Sequence, residues 1–250
     1  MRSILFRLAP LALVLVFAGC AGIAQSIRNE PCVLDQRQPF TVVEAMPGEH
    51  EIRLYWRDAS GEPFLNLGAV RRHVEAQGDS LVMATNAGIY EPGFIPTGLH
   101  IEDGEELQPI NRDDGAGNFF LQPNGVFYVT ASGAAGVVAT EEWPIPDSTR
   151  LATQSGPLLM REGRMHPRFR EGSESCRLRS GVGVREDGTV VFAITNGASN
   201  FHDFALAFRD RFDSPDALYL DGGRSRMLYP AGGRMEDGQF AGILAVVMRR

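Results

Sequence analysis

None of the short signatures that announce a nucleotide-dependent or transition-metal enzyme occurs in the 250-residue chain. Without a P-loop or a dinucleotide fingerprint, no nucleotide cofactor is implied. The usual zinc frameworks are excluded by the lack of His-Glu-x-x-His and of paired Cys-x-x-Cys. No serine occupies a Gly-x-Ser-x-Gly elbow, and His50, His73, His100, His166 and His202 show no spacing that implicates a triad. Repeats and low-complexity linkers are also missing. Asn111-Arg112-Asp113-Asp114-Gly115 offers oxygens to a calcium ion but lacks the EF-hand ligand order, so it reads as a solvated turn. No cofactor and no metal is expected.

No hydrophobic run is long enough for a permanent membrane helix, which needs about 20 apolar residues. The apolar stretch 8–18 instead follows two cations, Arg2 and Arg7, and precedes Gly19-Cys20, the order of a secretion signal. Val16-Phe17-Ala18-Gly19-Cys20 resembles a bacterial lipobox, with Phe17 bulkier than the usual aliphatic residue. The expected division is a signal peptide over 1–19, a lipidated N-terminus and tether over 20–40 beginning at Cys20, and one domain over 41–250. Ala21 is not the aspartate that often retains lipoproteins at the inner membrane, so an outer-membrane address on the periplasmic side is expected. An ordinary cleaved signal would release the same domain into the periplasm or medium.

Only three cysteines are present. With Cys20 assigned to lipid, Cys32 and Cys176 remain as a candidate disulfide, set against two unpaired buried thiols. Removing residues 1–19 of the 250 leaves 231, enough for one substantial core. Losing Arg2 and Arg7 moves the formal charge from −7 to −9, which argues against nucleic acid as the main partner.

Most of what remains reads as sheet. Glu51 to Trp56 alternates, and the runs 80–85, 190–195, 217–220 and 243–248 suit core strands. Asp103-Gly104, Asn124-Gly125 and Asp187-Gly188 are hairpin-type dipeptides. Phe201, Phe204, Ala205, Phe208 and Phe212 repeat at helical spacing behind Asn200, a good N-cap, with Asp203 in the first turn. That aromatic face is expected to pack on the sheet. A second helix is expected over about Ala69 to Gln77, stopping at Gly78. Many hairpins with few helices give an α+β class: a mixed, mostly antiparallel sheet core with packed helices, in a single domain.

Three apolar strands end in polar and glycine residues: Thr85-Asn86-Ala87-Gly88, Thr195-Asn196-Gly197 and Leu220-Asp221-Gly222-Gly223. Strand ends are where a rigid scaffold presents side chains. With Thr97-Gly98, Gln154-Ser155-Gly156-Pro157 and Arg179-Ser180-Gly181, they form an ordered set. At these residues the chain resembles the phosphodiester glycosidase family. Asn86-Ala87-Gly88-Ile89-Tyr90 is similar to its Asn-Gly-Gly-aromatic block, and Asp221-Gly222-Gly223-Arg224-Ser225 to its Asp-Gly-Gly-Gly-Ser block. The closer likeness is to compact bacterial members, over about Leu81 to Leu228. Two departures stand out: Ala87 replaces a glycine, and Arg224 replaces the third glycine of the last block, narrowing a pocket or adding a phosphate contact.

The resemblance implies hydrolysis of a sugar-phosphate diester at the anomeric carbon. Asp221 is the expected carboxylate and Arg179 the expected phosphate clamp, since a guanidinium binds phosphate bidentately. His202 is a candidate proton donor. Asn86, Asn196 and Gln154 are candidate amide contacts for sugar hydroxyls, and Ser155 and Ser225 candidate donors to phosphate. Gly88, Tyr90, Thr97, Ser180, Gly222 and Gly223 complete the expected substrate-binding set. Replacing Asp221 by Asn or Arg179 by Ala is expected to abolish turnover with the melting transition intact. The partners implied are a carbohydrate or sugar-phosphate substrate and a membrane reached through lipid. A non-catalytic envelope protein that binds phosphoglycans would use the same side chains without turnover.

Overall fold

The computed structural model describes residues 32, 39–46, 48–145, 148–222, 224–230 and 238–248. Residues 1–19, where a signal peptide is expected, together with Cys20 and Gly223, lie outside the described residues. Three antiparallel sheets form the body. The six-stranded sheet runs in the order β1 (Phe40–Ala45), β14 (Val190–Thr195), β13 (Arg179–Val184), β15 (Asp216–Gly222), β11 (Leu158–Arg161), β12 (Arg164–Met165). A five-stranded sheet has the order β7 (Glu105–Gln108), β6 (His100–Glu102), β10 (Thr149–Ser155), β8 (Gly125–Thr130), β9 (Ala135–Ala139). The four-stranded sheet is β16 (Met227–Leu228), β3 (Ser80–Asn86), β17 (Ile243–Met248), β2 (Glu51–Tyr55), and β4 (Tyr90–Glu91) pairs with β5 (Ile95–Pro96) as a separate hairpin.

Side-chain alternation explains why the strands read as continuous apolar runs rather than as half-polar ones. In β14, Val190, Phe192 and Ile194 face a central core shared with Leu54 and Leu244 of the four-stranded sheet and with Phe127 and Leu151 of the five-stranded one. Val191 and Ala193 face the other way, under Phe204 and Phe208 of helix α2 (Phe201–Asp210). Likewise in β17, Leu244 and Val246 enter the central core while Ile243, Ala245 and Val247 pack against Leu67, Val70 and Val74 of helix α1 (Leu67–Ala76). Buried on both faces, such strands have no solvent side to make polar. One central core serves all three sheets, so the described body is a single β-rich domain with two helices covering outer faces; the α+β class holds only in that loose sense.

Both helices carry the expected caps. Asn200 accepts a hydrogen bond from the Asp203 backbone N–H at 2.8 Å, and Asn66 does the same for Ala69. Helix α1 begins two residues before the sequence estimate. It ends at Ala76 with Gln77 as its cap, and Gly78, at φ 88°, permits the Asp79 N–H to reach the Val74 carbonyl. Asp103-Gly104 turns between β6 and β7 with both residues at positive φ, and Gly188 does so after Asp187. Asn124-Gly125 is not a turn. Gly125 opens β8, and Asn124 is buried with its Nδ2 donating to the Phe119 carbonyl, so a tertiary bond overrides the local signal. Cys32 and Cys176 are joined by a disulfide across a separation of 144 residues.

Candidate active site

Strand β15 carries Asp221 at its end. Opposite β13 its register slips between Ser180 and Gly181, so that Leu220 is the extra residue and Asp221 pairs with Ser180. Such a bulge re-aims the side chains beyond it. Asp221 sits at the floor of a cavity of about 470 Å³, walled by Gly222, Arg224, Ile89 and the β4–β5 hairpin with its turn, Tyr90 to Phe94. Burial raises its carboxyl to about 6, against the Gly222 N–H bonded to Oδ1 and the nearby Arg224 cation, both of which favour the ionised form.

The wall opposite the strand is held by an unusual turn. Phe94 adopts φ 58°, a left-handed conformation uncommon for an aromatic residue. The Trp56 indole N–H donates to its carbonyl at 2.8 Å, and its ring stacks on Tyr90 at 5.7 Å between centroids. The Tyr90 hydroxyl donates to the Gln239 carbonyl at 2.6 Å and accepts from Arg224 Nη1 at 3.1 Å.

Several expected binding residues are committed to building the floor instead of lining the cavity. Asn86 is buried, exchanging hydrogen bonds with Ser180 Oγ and accepting from the Arg226 backbone. Ser225 donates to the Asp221 carbonyl at 2.6 Å, and Ser180 also reaches that oxygen. These three residues fix the backbone that aims Asp221. Ser155 donates to the Leu220 carbonyl, tying β10 to β15. All four polar positions of Gln154 are filled: Oε1 accepts from the Leu99 and Asn111 backbones, and Nε2 donates to the Asn111 carbonyl and Thr140. Gly88 passes so close to β10 that a Cβ there would lie 2.2 Å from the Gln154 carbonyl oxygen. Thr97 donates to Glu91 of the hairpin wall and does not itself line the cavity. Asn196 accepts from Thr41 at the edge of the six-stranded sheet, away from the lining. Ala87 needs no positive φ and is buried in the central core, so its departure from the glycine pattern has no conformational cost.

Arg179 and His202 do not line the cavity. Arg179 is buried: its Nε donates to the Ser199 carbonyl and Nη2 to that of Ser175, and its guanidinium lies 3.6 Å from the Phe201 ring centroid. Burial lowers its pKa from the usual arginine value, and among the described residues it has no carboxylate partner. The expected phosphate clamp is thus a buried strut, because the sequence does not show which carbonyls converge on it. His202 lies in the first turn of α2, its Nδ1 3.0 Å from Asp203 Oδ1.

The cavity residues that the sequence reading passed over are Glu91, Pro92, Gly93 and Phe94, while Ile89 entered it only as part of the Asn86–Tyr90 block. Their signal was present: Pro92-Gly93 directly after Tyr90 is a turn dipeptide, and the turn carries the wall. Among the described residues there is no cluster of His, Cys, Asp and Glu able to hold a metal ion.

The family model described as phosphodiester glycosidase matches residues 79–243. An uncharacterised protein of Escherichia coli strain K12, YigE, is 36% identical over 211 residues, covering 83% of this chain and 81% of its own. The catalytic domain of zebrafish N-acetylglucosamine-1-phosphodiester alpha-N-acetylglucosaminidase, auto-inhibited by its pro-peptide, is 14% identical, with a TM-score of 0.52 over 85% of this chain and 89% of that one. A hypothetical protein from Synechocystis is also 14% identical, with a TM-score of 0.54 over 84% of this chain and 59% of that one. At such identity these two structures share the fold with this chain.

Proposed function

Because the chain belongs to the phosphodiester glycosidase family, we propose that it hydrolyses a sugar-phosphate diester at the anomeric carbon, with Asp221 as the reacting carboxylate. The observation that carries this reading is the half-buried Asp221 at the floor of a walled cavity, with its carboxyl raised to about 6. Glycosyl transfer to water passes through an oxocarbenium-like centre that a carboxylate stabilises, as base towards water or as nucleophile. Phosphate is a good leaving group, so a strong general acid is less necessary than for an ordinary glycoside. A carboxylate with a pKa near 6 is ionised at neutral pH yet basic enough to accept a proton, which suits that task.

The apolar faces of Ile89, Pro92 and the Tyr90–Phe94 stack offer a sugar ring a surface for its C–H groups. Asn86, Ser180 and Ser225 serve by positioning Asp221 rather than by touching sugar. For location, we propose export and a lipid tether at Cys20, with an outer-membrane address; the Cys32–Cys176 disulfide supports an oxidising compartment.

The test is hydrolysis of a panel of glycosyl phosphodiesters and nucleotide sugars by the soluble domain starting after Cys20, with Asp221→Asn alongside. Turnover that disappears in the variant supports the proposal. Binding without turnover in both proteins replaces it with the phosphoglycan binder.

A further inference from the structure

Three charged side chains line the cavity, Asp221, Glu91 and Arg224, and the one cation, Arg224, lies near enough to Asp221 for the two to attract. We infer that Arg224 makes this cavity a site for singly charged phosphodiesters, and that Asp221 and Glu91 together exclude the doubly charged phosphate monoester. The inference rests on the glycosidase reading for the identity of the ligand, and on the arrangement of charges for its selectivity.

Arg224 is a held cation. One of its five N–H donors goes to the Tyr90 hydroxyl at 3.1 Å. That hydroxyl spends its own proton on the Gln239 carbonyl, so the oxygen turned towards Arg224 acts as acceptor. Phe94 stacks against the Tyr90 ring and is itself held by Trp56. Among the described residues Tyr90 is the only side chain hydrogen-bonded to the guanidinium, which leaves its remaining donors for a ligand. A positioned guanidinium with free N–H groups recognises phosphate oxygens without first losing side-chain freedom.

The opposing carboxylates set the permitted charge. With Asp221 and Glu91 ionised, the three groups sum to one negative charge, and a monoanionic diester adds one more while placing its charge on Arg224. A phosphate monoester above pH 7 adds two, carries oxygens that a single guanidinium cannot all neutralise, and faces both carboxylates. Glu91 is anchored for this role by the Thr97 hydroxyl on Oε1. A glycine at position 224, the residue of the related sequence block, would leave the cavity without its cation.

The experiment uses minimal anions, so that it does not depend on the sugar. Dimethyl phosphate and inorganic phosphate are titrated at pH 8 into the soluble domain, following the Arg224 side-chain resonances and overall chemical shifts by NMR. The same titrations are run on Arg224→Gly, Arg224→Gln and Glu91→Gln. The wild type is expected to bind dimethyl phosphate at least tenfold more tightly than the dianion. Both Arg224 variants should lose at least tenfold for dimethyl phosphate, and Glu91→Gln should narrow the preference by gaining affinity for the dianion. Arg224→Gln keeps a hydrogen-bonding group towards Tyr90, so its loss reports charge rather than a collapsed wall. Equal binding of the two anions, or unchanged binding in both Arg224 variants, overturns the inference. Turnover of glycosyl phosphodiesters is scored separately: turnover without anion selectivity removes this inference alone, and selectivity without turnover removes the glycosidase reading alone.

Discussion

The hydroxyl of Tyr219 occupies the space that a side chain at residue 222 would need: a Cβ on Gly222 would lie 1.9 Å from that oxygen. Gly222 is therefore fixed by close approach, since its φ is not in the left-handed region. Tyr219 cannot retreat, being fully buried between the Phe201 ring, 4.8 Å away edge-on, and the outer core. The hydroxyl has no hydrogen bond of standard geometry, yet Arg179 and Asn118 lie near enough to oppose the burial that raises its pKa.

Gly222→Ala is expected to destabilise the protein by about 1–3 kcal/mol, the cost of overpacking, and to displace Asp221 with loss of turnover. Tyr219→Phe removes the oxygen in conflict. A double-mutant cycle by chemical denaturation should show the pair less destabilised than the sum of the single changes; strict additivity would mean that the hydroxyl is not the obstacle.

Arg179→Ala is expected to lower stability by roughly 3 kcal/mol, because it removes the hydrogen bonds to the Ser199 and Ser175 carbonyls and leaves a void beside Phe201 in the core. This replaces the sequence-based expectation of an intact melting transition. Arg179→Lys should recover only part, since a single ammonium cannot span both carbonyls and stack on the ring. Thermal melting of the two variants decides the matter: a wild-type transition in Arg179→Ala would return the residue to the list of ligand contacts.

What the sequence made legible was local. The helix behind Asn200 announced itself because its cap and its aromatic spacing lie within a dozen residues, and Asp221 was visible because an apolar strand stops abruptly there. Gln154 was read as a ligand contact because its partners, Leu99, Asn111 and Thr140, come together only when distant loops fold over β10. Arg179 shows the same limit. Its charge suggested a phosphate, whereas the carbonyls that satisfy it belong to Ser175 and Ser199, and the ring beneath it opens helix α2. The hairpin wall from Glu91 to Phe94 went unnoticed because a proline-glycine turn looks the same in sequence whether or not a cavity lies behind it.

The disulfide spans a large loop, and its worth follows from that. Cys32→Ser with Cys176→Ser, or full reduction, should cost roughly 2–5 kcal/mol in a denaturant titration, by the loop entropy returned to the unfolded chain. Thiol counting on the unreduced soluble domain should find neither cysteine reactive. The effect should reach the site, because the Ser175 carbonyl next to Cys176 accepts from Arg179 Nη2 and Arg179 pairs across the sheet with Gly222 of the cavity wall: reduced protein is expected to lose activity as well as stability.

Asp221 links activity and stability to pH with opposite signs. Its folded carboxyl, at about 6, lies above the unfolded value of 3.8, so between about pH 4 and 6 the native state binds more protons than the unfolded state. This contribution to stability is greatest below pH 4, falls as pH rises through the window, and becomes a penalty of about 2 kcal/mol above pH 6 for holding a partly buried charge. Asp221→Asn removes that charge while keeping an oxygen for the Gly222 N–H. The variant should therefore be inactive and, at pH 7.5, more stable than wild type by a large part of that amount, with the difference vanishing towards pH 4. Activity of the wild type should rise with pH through an inflection near 6 as the carboxylate forms. Parallel denaturation curves and initial rates across pH 4–8 measure both; a variant no more stable at pH 7.5 than at pH 4, relative to wild type, would show that Asp221 carries no buried charge.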